Sequence, residues 1–220
     1  MMTNQTQVKD PHQDQKVYTA GKSLAEAKAA MILVHGRGAT APSILSLGQE
    51  FDHPDLAYLA PQAANYTWYP YSFLAPLDHN EPGLSSGLAK IGELVARVEA
   101  AGIPAEKIII AGFSQGACLA SEFVARNARR YGGLLVFSGG LIGPPGTPRD
   151  YEGSLEGTRV FLGCSDIDPH IPEARVHESA GVFERLGAQV VEKIYSGMGH
   201  TIVPDEIDEA RQIIQAVVAE

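Results

Sequence analysis

Gly112-Phe113-Ser114-Gln115-Gly116 sets a serine between two glycines, just where the apolar run Lys107-Ile108-Ile109-Ile110-Ala111 gives way to a helical pattern. A serine on a sharp strand-to-helix turn is held in a strained backbone conformation, and close packing around it needs small neighbours. Such a turn exposes the Ser114 hydroxyl at the C-terminal end of a strand. It also puts the Gln115 N–H at a helix N-terminus, aimed at a developing oxyanion. A serine that merely caps a helix would leave both glycines and the buried strand before them without a reason.

A serine nucleophile needs a base, and the base needs a group to orient it. In sheets of parallel strands the functional groups sit at the strands' C-terminal ends, and this filter is severe for the seven histidines. His12 falls in a polar N-terminal stretch, His53 and His79 lie away from strand ends, and His177 falls inside a helical pattern. His35 precedes Gly36 and is read as shaping a turn. His170 lies on an acid-bearing loop. His200 closes Ser196-Gly197-Met198-Gly199-His200, between the last strand and the last helix, where a glycine-rich loop can carry an imidazole over the sheet. His200 is the expected base. The loop after Arg159-Val160-Phe161-Leu162 offers two acids, Asp166 and Asp168. Asp168 precedes a proline and is held extended, so it is the expected acid. Asp166 is read as a turn former. The chain order Ser114, Asp168, His200 is that of α/β-hydrolases.

A second oxyanion donor should come from a loop after an early strand. His35-Gly36-Arg37-Gly38 follows Met31-Ile32-Leu33-Val34, and the Arg37 backbone N–H is assigned there beside that of Gln115. No Walker or dinucleotide-binding pattern follows, which weakens a phosphate-binding reading of the turn. Residues 61–82 form a long loop rich in proline and aromatics, and such loops in compact domains are usually functional. Trp68, Tyr69 and Arg37 are assigned to the substrate pocket. Tyr71 and Phe73 belong to the same stretch, whose aromatics could equally serve to pack the loop onto the body.

The elements that must position these groups alternate. Strand-like runs fall at 31–34, 56–59, 107–111, 133–137, 159–162 and 189–194. Helical patterns fall at 84–101, 115–130, 172–187 and 204–219. This alternation implies an α/β fold, a mostly parallel sheet covered by helices on both faces. Ser138 to Thr158 is too short and irregular for a cap domain. Residues 1–16 are expected to be a flexible polar arm and 17–220 a single domain.

The chain's 220 residues suit one domain. Lys plus Arg is 17 against 26 Asp plus Glu, a formal charge of −9, which argues against a nucleic-acid surface and a polybasic membrane anchor. Two cysteines, Cys118 and Cys164, exclude a disulfide scaffold, and no zinc-type cluster is present. Without a signal peptide or an apolar run of about 18 residues, a soluble cytoplasmic protein without stable membrane association is expected. A homodimer is left open.

The combination LVHGRGA, AGFSQGACLA, the segment from Asp166 to Pro172 and the late Gly199-His200 resembles the phospholipase/carboxylesterase family. These are small α/β-hydrolases that include bacterial carboxylesterases and acyl-protein thioesterases. The resemblance spans about residues 28–218. It implies Ser114 as nucleophile, Asp168 as acid, His200 as base and the Arg37 and Gln115 N–H groups as oxyanion hole. It also implies hydrolysis of carboxylic esters or thioesters without a cofactor, and the absence of a cap suits small or medium soluble substrates. Acyl-protein thioesterases usually carry an apolar residue and then Gly-Asp after the His-Gly pair, where this chain has Arg37-Gly38-Ala39, so protein depalmitoylation is not the expected activity. Lysophospholipase or thioesterase action, and a catalytically silent binding protein on the same fold, are the alternatives.

Overall fold

Every side chain of Ala29–Val34 is buried, and they divide by parity. Ala30, Ile32 and Val34 join one apolar core, while Ala29, Met31 and Leu33 join another. A strand hydrophobic on both faces must be covered on both faces. The computed structural model, which describes residues 10–51 and 53–220, shows how. Strands β1 (Val17–Gly21), β2 (Ala29–Val34), β3 (Leu56–Pro61), β4 (Ile108–Phe113), β5 (Gly133–Phe137), β6 (Arg159–Ser165) and β7 (Gln189–Tyr195) form one sheet in the order β1-β3-β2-β4-β5-β6-β7. All pairings are parallel except β1 with β3.

Helices α2 (Gly83–Ala100), α3 (Gln115–Arg126) and α4 (Glu173–Arg185) pack on the face of Ile32 and Ile110. Helices α1 (Ala41–Phe51) and α5 (Pro204–Ala219) cover the face of Met31 and Ile109. α2 stops where Gly102 takes φ +95° and Ile103 N–H bonds back to Val98, the glycine-terminated ending expected of a helix followed by proline. Because β2, β4, β6 and β7 run parallel, their C-terminal ends at Val34, Phe113, Ser165 and Tyr195 share one edge of the sheet. The loops that leave that edge carry the residues singled out above.

Two elements go beyond those the sequence pattern implies. β1 is short and half exposed, and α1 is an 11-residue helix entered through Thr40 and Ser43, whose hydroxyls each accept the other's backbone N–H. α3 ends at Arg126 rather than near Arg130, where Asn127 N–H and side-chain amide both bond to the Phe123 carbonyl. Ser138 to Thr158 holds no helix or strand. It is stapled to the body by Arg149, which bonds Ile142 O and Glu178, and by Arg175, which bonds the carbonyls of Leu141 and Gly143.

The flexible arm expected over residues 1–16 does not reach as far as that. Residues 1–9 lie outside the described residues, but His12 is 1% exposed. Its backbone N–H bonds Ser86 Oγ at 2.9 Å, its Nε2 meets the Trp68 carbonyl at 2.9 Å, and its Nδ1 accepts from Ala64 N–H. A polar composition hid an imidazole that satisfies buried backbone groups.

α5 starts at Pro204, a favoured first helical residue, and Glu206 Oε2 accepts the Val203 N–H at 2.8 Å. Oε1 of the same carboxyl is buried without a partner against Gly163, and burial pushes Glu206 up to about 7 from an ordinary 4.5. Between those values the unfolded chain ionises this group while the folded chain keeps its proton. Its contribution to stability therefore falls as pH rises from 4.5 to 7 and is level outside that window. Glu206→Gln, neutral throughout, should gain on the unmodified protein by on the order of 10 °C in Tm across that interval. A calorimetric Tm difference that stays constant with pH would contradict this.

Candidate active site

Ser114 stands between β4 and α3 with φ +56° and ψ −122°, a region that costs a non-glycine residue of order 1–3 kcal/mol. The surrounding packing enforces it. A Cβ on Gly112 would stand 2.5 Å from the Gly116 carbonyl carbon, and one on Gly116 would overlap the Val34 carbonyl oxygen. The first turn of α3 therefore lies directly against the end of β2. Ser114 N–H bonds Phe137 O at 2.9 Å at the end of β5, so the elbow is tied to both neighbouring strands. Gln115 is the first residue of α3, and its N–H has no intrahelical acceptor.

His200 Nδ1 lies 2.6 Å from Asp168 Oδ2, and the Asp168 side chain is fully buried. The other carboxylate oxygen accepts the N–H groups of His170 at 2.8 Å and Ile171 at 3.0 Å. Burial alone would raise this carboxyl. The bonds from His200, His170 and Ile171 outweigh it and hold Asp168 below the usual carboxylate range. With Nδ1 donating to a carboxylate, Nε2 is left to face the cavity. The ring is flanked by Phe113 at 4.8 Å and His170 at 4.9 Å between centroids.

Asp166 has a different job. Its Oδ1 accepts Gly197 N–H and its Oδ2 accepts the Ser196 hydroxyl, each at 2.8 Å, and these bonds hold it below its ordinary value. Ser165 Oγ bonds the Met198 carbonyl as well. Asp166 and Ser165 thus grip the loop that carries His200, while Asp168 grips the ring.

The aromatic loop is pinned by groups that sequence reasoning assigned elsewhere. The Gln115 side chain accepts Trp68 N–H at 2.9 Å and donates to Tyr69 O at 2.8 Å. His35 Nε2 accepts Ala63 N–H, its Nδ1 meets Gly36 O, and burial holds the ring below the ordinary imidazole range. Only the backbone of Gln115 had been considered, and no periodicity would flag its amide. Trp68 is corrected as a pocket residue. It is fully buried, with its indole N–H donating to His35 O at 2.8 Å, and it supports the turn from beneath. Arg37 donates through Nη1 to Pro70 O and through Nη2 to Tyr71 O, while its backbone N–H has no acceptor among the described residues.

Ser114, Gln115, Arg37, Tyr69, His170 and His200 line one cavity of about 460 Å³, which Phe73, Phe113 and Ile171 make partly apolar. A second cavity of about 400 Å³ opens beyond His200 between Ile44, Leu47 and Ile202. Cys118 lines the first cavity, but burial pushes its thiol up to about 12, so it is not a nucleophile near neutral pH. Among the described residues no three His, Cys, Asp or Glu side chains group as metal ligands.

The family model described as Phospholipase/Carboxylesterase matches residues 19–218. The chain belongs to this family. A phospholipase/carboxylesterase structure from Dyadobacter fermentans DSM 18053 is 47% identical, with a TM-score of 0.88 over 91% of this chain and 96% of that one. Acyl-protein thioesterase 1 of Saccharomyces cerevisiae is 31% identical over 60% of this chain and 60% of its own length. A probable carboxylesterase of Oryza sativa is 26% identical over 83% of this chain and 75% of its own. The chain therefore spans about three fifths of the yeast relative. The sheet of this phospholipase/carboxylesterase member presents its loops along one edge, and no cap domain is present among the described residues.

The two acids are separable by experiment. Asp168→Asn keeps the shape but allows the wrong imidazole tautomer, and should lower kcat on the order of 10³–10⁴-fold. Asp166→Asn retains an oxygen for Gly197 N–H and should cost about tenfold or less. Steady-state kinetics at matched folded fraction, checked by circular dichroism, distinguish them. A larger loss from Asp166→Asn would reverse the assignment.

Proposed function

We propose that this chain is a serine carboxylesterase acting on esters, thioesters included, of small or medium soluble acids. The observation that carries this reading is the 2.6 Å pair between Asp168 and His200, with the imidazole on the wall of the cavity that Ser114 also lines. In the proposed reaction His200 Nε2 takes the Ser114 proton as Oγ attacks the acyl carbonyl. The carbonyl oxygen gains negative charge and accepts the N–H groups of Arg37 and Gln115. Collapse of the tetrahedral adduct breaks the bond to the alcohol or thiol, which leaves with the proton from His200. Water then loses a proton to the same imidazole and attacks the acyl-enzyme, the bond to Ser114 Oγ breaks as His200 returns the proton to that oxygen, and the acid departs. Asp168 fixes the tautomer and stabilises the imidazolium.

The leaving group must lie on the side of His200, since that ring protonates it. The cavity beyond His200, walled by Ile44, Leu47, Phe113 and Ile202, supports an apolar alcohol or thiol there, and the larger cavity then takes the acyl part. Substrate size follows from the cover. The segment between β5 and β6 holds no helix to act as a lid, and no helix among the described residues is long and apolar enough to cross a membrane. A net charge of −9 gives anionic lipid no attraction.

Ser114→Ala and His200→Ala should each lower kcat for a short aryl ester on the order of 10⁵–10⁶-fold, and the double variant should be hardly worse, because the groups act as a unit. Near-normal turnover by Ser114→Ala would defeat the assignment. With the unmodified protein, rate should saturate on short-chain monomeric esters and pass through a substrate's micelle-forming concentration without a jump. A sharp rise there, with poor hydrolysis of short esters, would point instead to a lipid-interface enzyme.

A further inference from the structure

We propose that the acyl cavity selects an anionic acyl group, the hemiester of a dicarboxylic acid, whose free carboxylate meets the Arg37 guanidinium. This names a substrate class for the same site and rests on the esterase reading above. Arg37 is the single Lys or Arg among the residues lining the larger cavity, and no Asp or Glu lines it. The acid of the site, Asp168, is fully buried and committed to His200 and two backbone N–H groups. Among the described residues no carboxylate pairs with Arg37. A chain with 26 acidic residues against 17 basic ones therefore keeps an uncompensated cation on the wall of its catalytic cavity.

That cation is held in place. Nη1 donates to Pro70 O at 2.8 Å and Nη2 to Tyr71 O at 2.6 Å, and the guanidinium carbon lies 6.0 Å from the Tyr69 ring centroid. Carbonyl oxygens orient a guanidinium without neutralising it. Two of its five N–H donors are used in this way, which leaves three for a ligand. A planar fork with donors to spare suits a planar carboxylate. The same residue supplies the backbone N–H assigned to the oxyanion. An acyl chain whose reacting carbonyl sits at that N–H enters the cavity lined by Arg37, Pro70 and Tyr71, and the carbonyls of those last two residues hold the guanidinium. If Arg37 served only to strap the aromatic loop, neutral and anionic acyl groups would be treated alike, and this difference is measurable.

The experiment compares kcat/KM for monoethyl glutarate with that for the neutral ethyl ester whose distal carboxyl is a primary amide. Monoethyl succinate and adipate, each with its own amide, extend the series. At low salt the unmodified protein should prefer the best hemiester over its amide by about tenfold, the lower end for a charge-assisted bond because Arg37 is exposed. Arg37→Gln should bring the ratio close to one. Whatever that substitution does to the oxyanion hole or the loop acts on both esters and cancels in the ratio. The preference should also shrink as salt rises, a reading that needs no variant. A ratio at or below one for every chain length, or one that is unchanged in Arg37→Gln, overturns the proposal while hydrolysis of the neutral ester leaves the esterase reading standing. Failure to hydrolyse any of these esters or a short aryl acetate would overturn both.

Discussion

The close approach of α3 to the end of β2 governs the rest of the site. Gly116 has no Cβ because the Val34 carbonyl oxygen occupies that space, and Gly112 has none because Gly116 does. With the helix pressed this tightly onto the sheet, the turn between β4 and α3 has no room for a relaxed backbone, and Ser114 is left at φ +56°. The same contact sets the Gln115 N–H beside the turn that follows β2, from which the Arg37 N–H comes. One steric fact therefore strains Ser114 outward and brings to it the two N–H groups proposed for the oxyanion. Larger residues at either glycine would push the helix off the sheet and separate all three groups.

A second layer of bonds carries that geometry outward. Gln115 holds the aromatic loop by the backbone of Trp68 and Tyr69, His35 holds it at Ala63 and takes the Trp68 indole, and Arg37 holds it at Pro70 and Tyr71. Asn80 closes it on itself through Tyr71 N–H and Ser72 O. On the opposite side Asp166 and Ser165 fix the loop of His200. Gln115 and Arg37 thus both line the cavity and fix the loop that walls it. Such preorganisation is where the larger part of electrostatic catalysis resides.

Strands β2 to β6 were legible because each is short and apolar on both faces, and the elbow was legible because only glycine tolerates its contacts. Ser114 was singled out by its flanking glycines at a strand end, Asp168 by the proline after it, and His200 by its glycine-rich loop at a strand end, since parallel strands leave few places from which a base can reach. The misses share another cause. β1 carries a weak pattern because it lies, half exposed, at the sheet edge. Trp68 reads as a pocket aromatic by type, but its indole N–H needed an acceptor and found one inside the turn at His35. His12 looked like part of a frayed polar stretch, although an imidazole can satisfy buried backbone groups at both nitrogens. The Gln115 amide and the Asp166 carboxylate act on distant backbone, and pairings of that kind leave no periodic trace in a sequence.

The central claim is that the strained Ser114 hydroxyl, activated by His200, is the nucleophile. Reaction with a fluorophosphonate followed by peptide mass spectrometry tests it most directly. The expected result is one adduct per chain, on the peptide that contains Ser114, formed rapidly in the unmodified protein and slowed on the order of 10³-fold or more in His200→Ala. An adduct elsewhere, or labelling of Ser114 at the same rate with and without His200, would contradict the account.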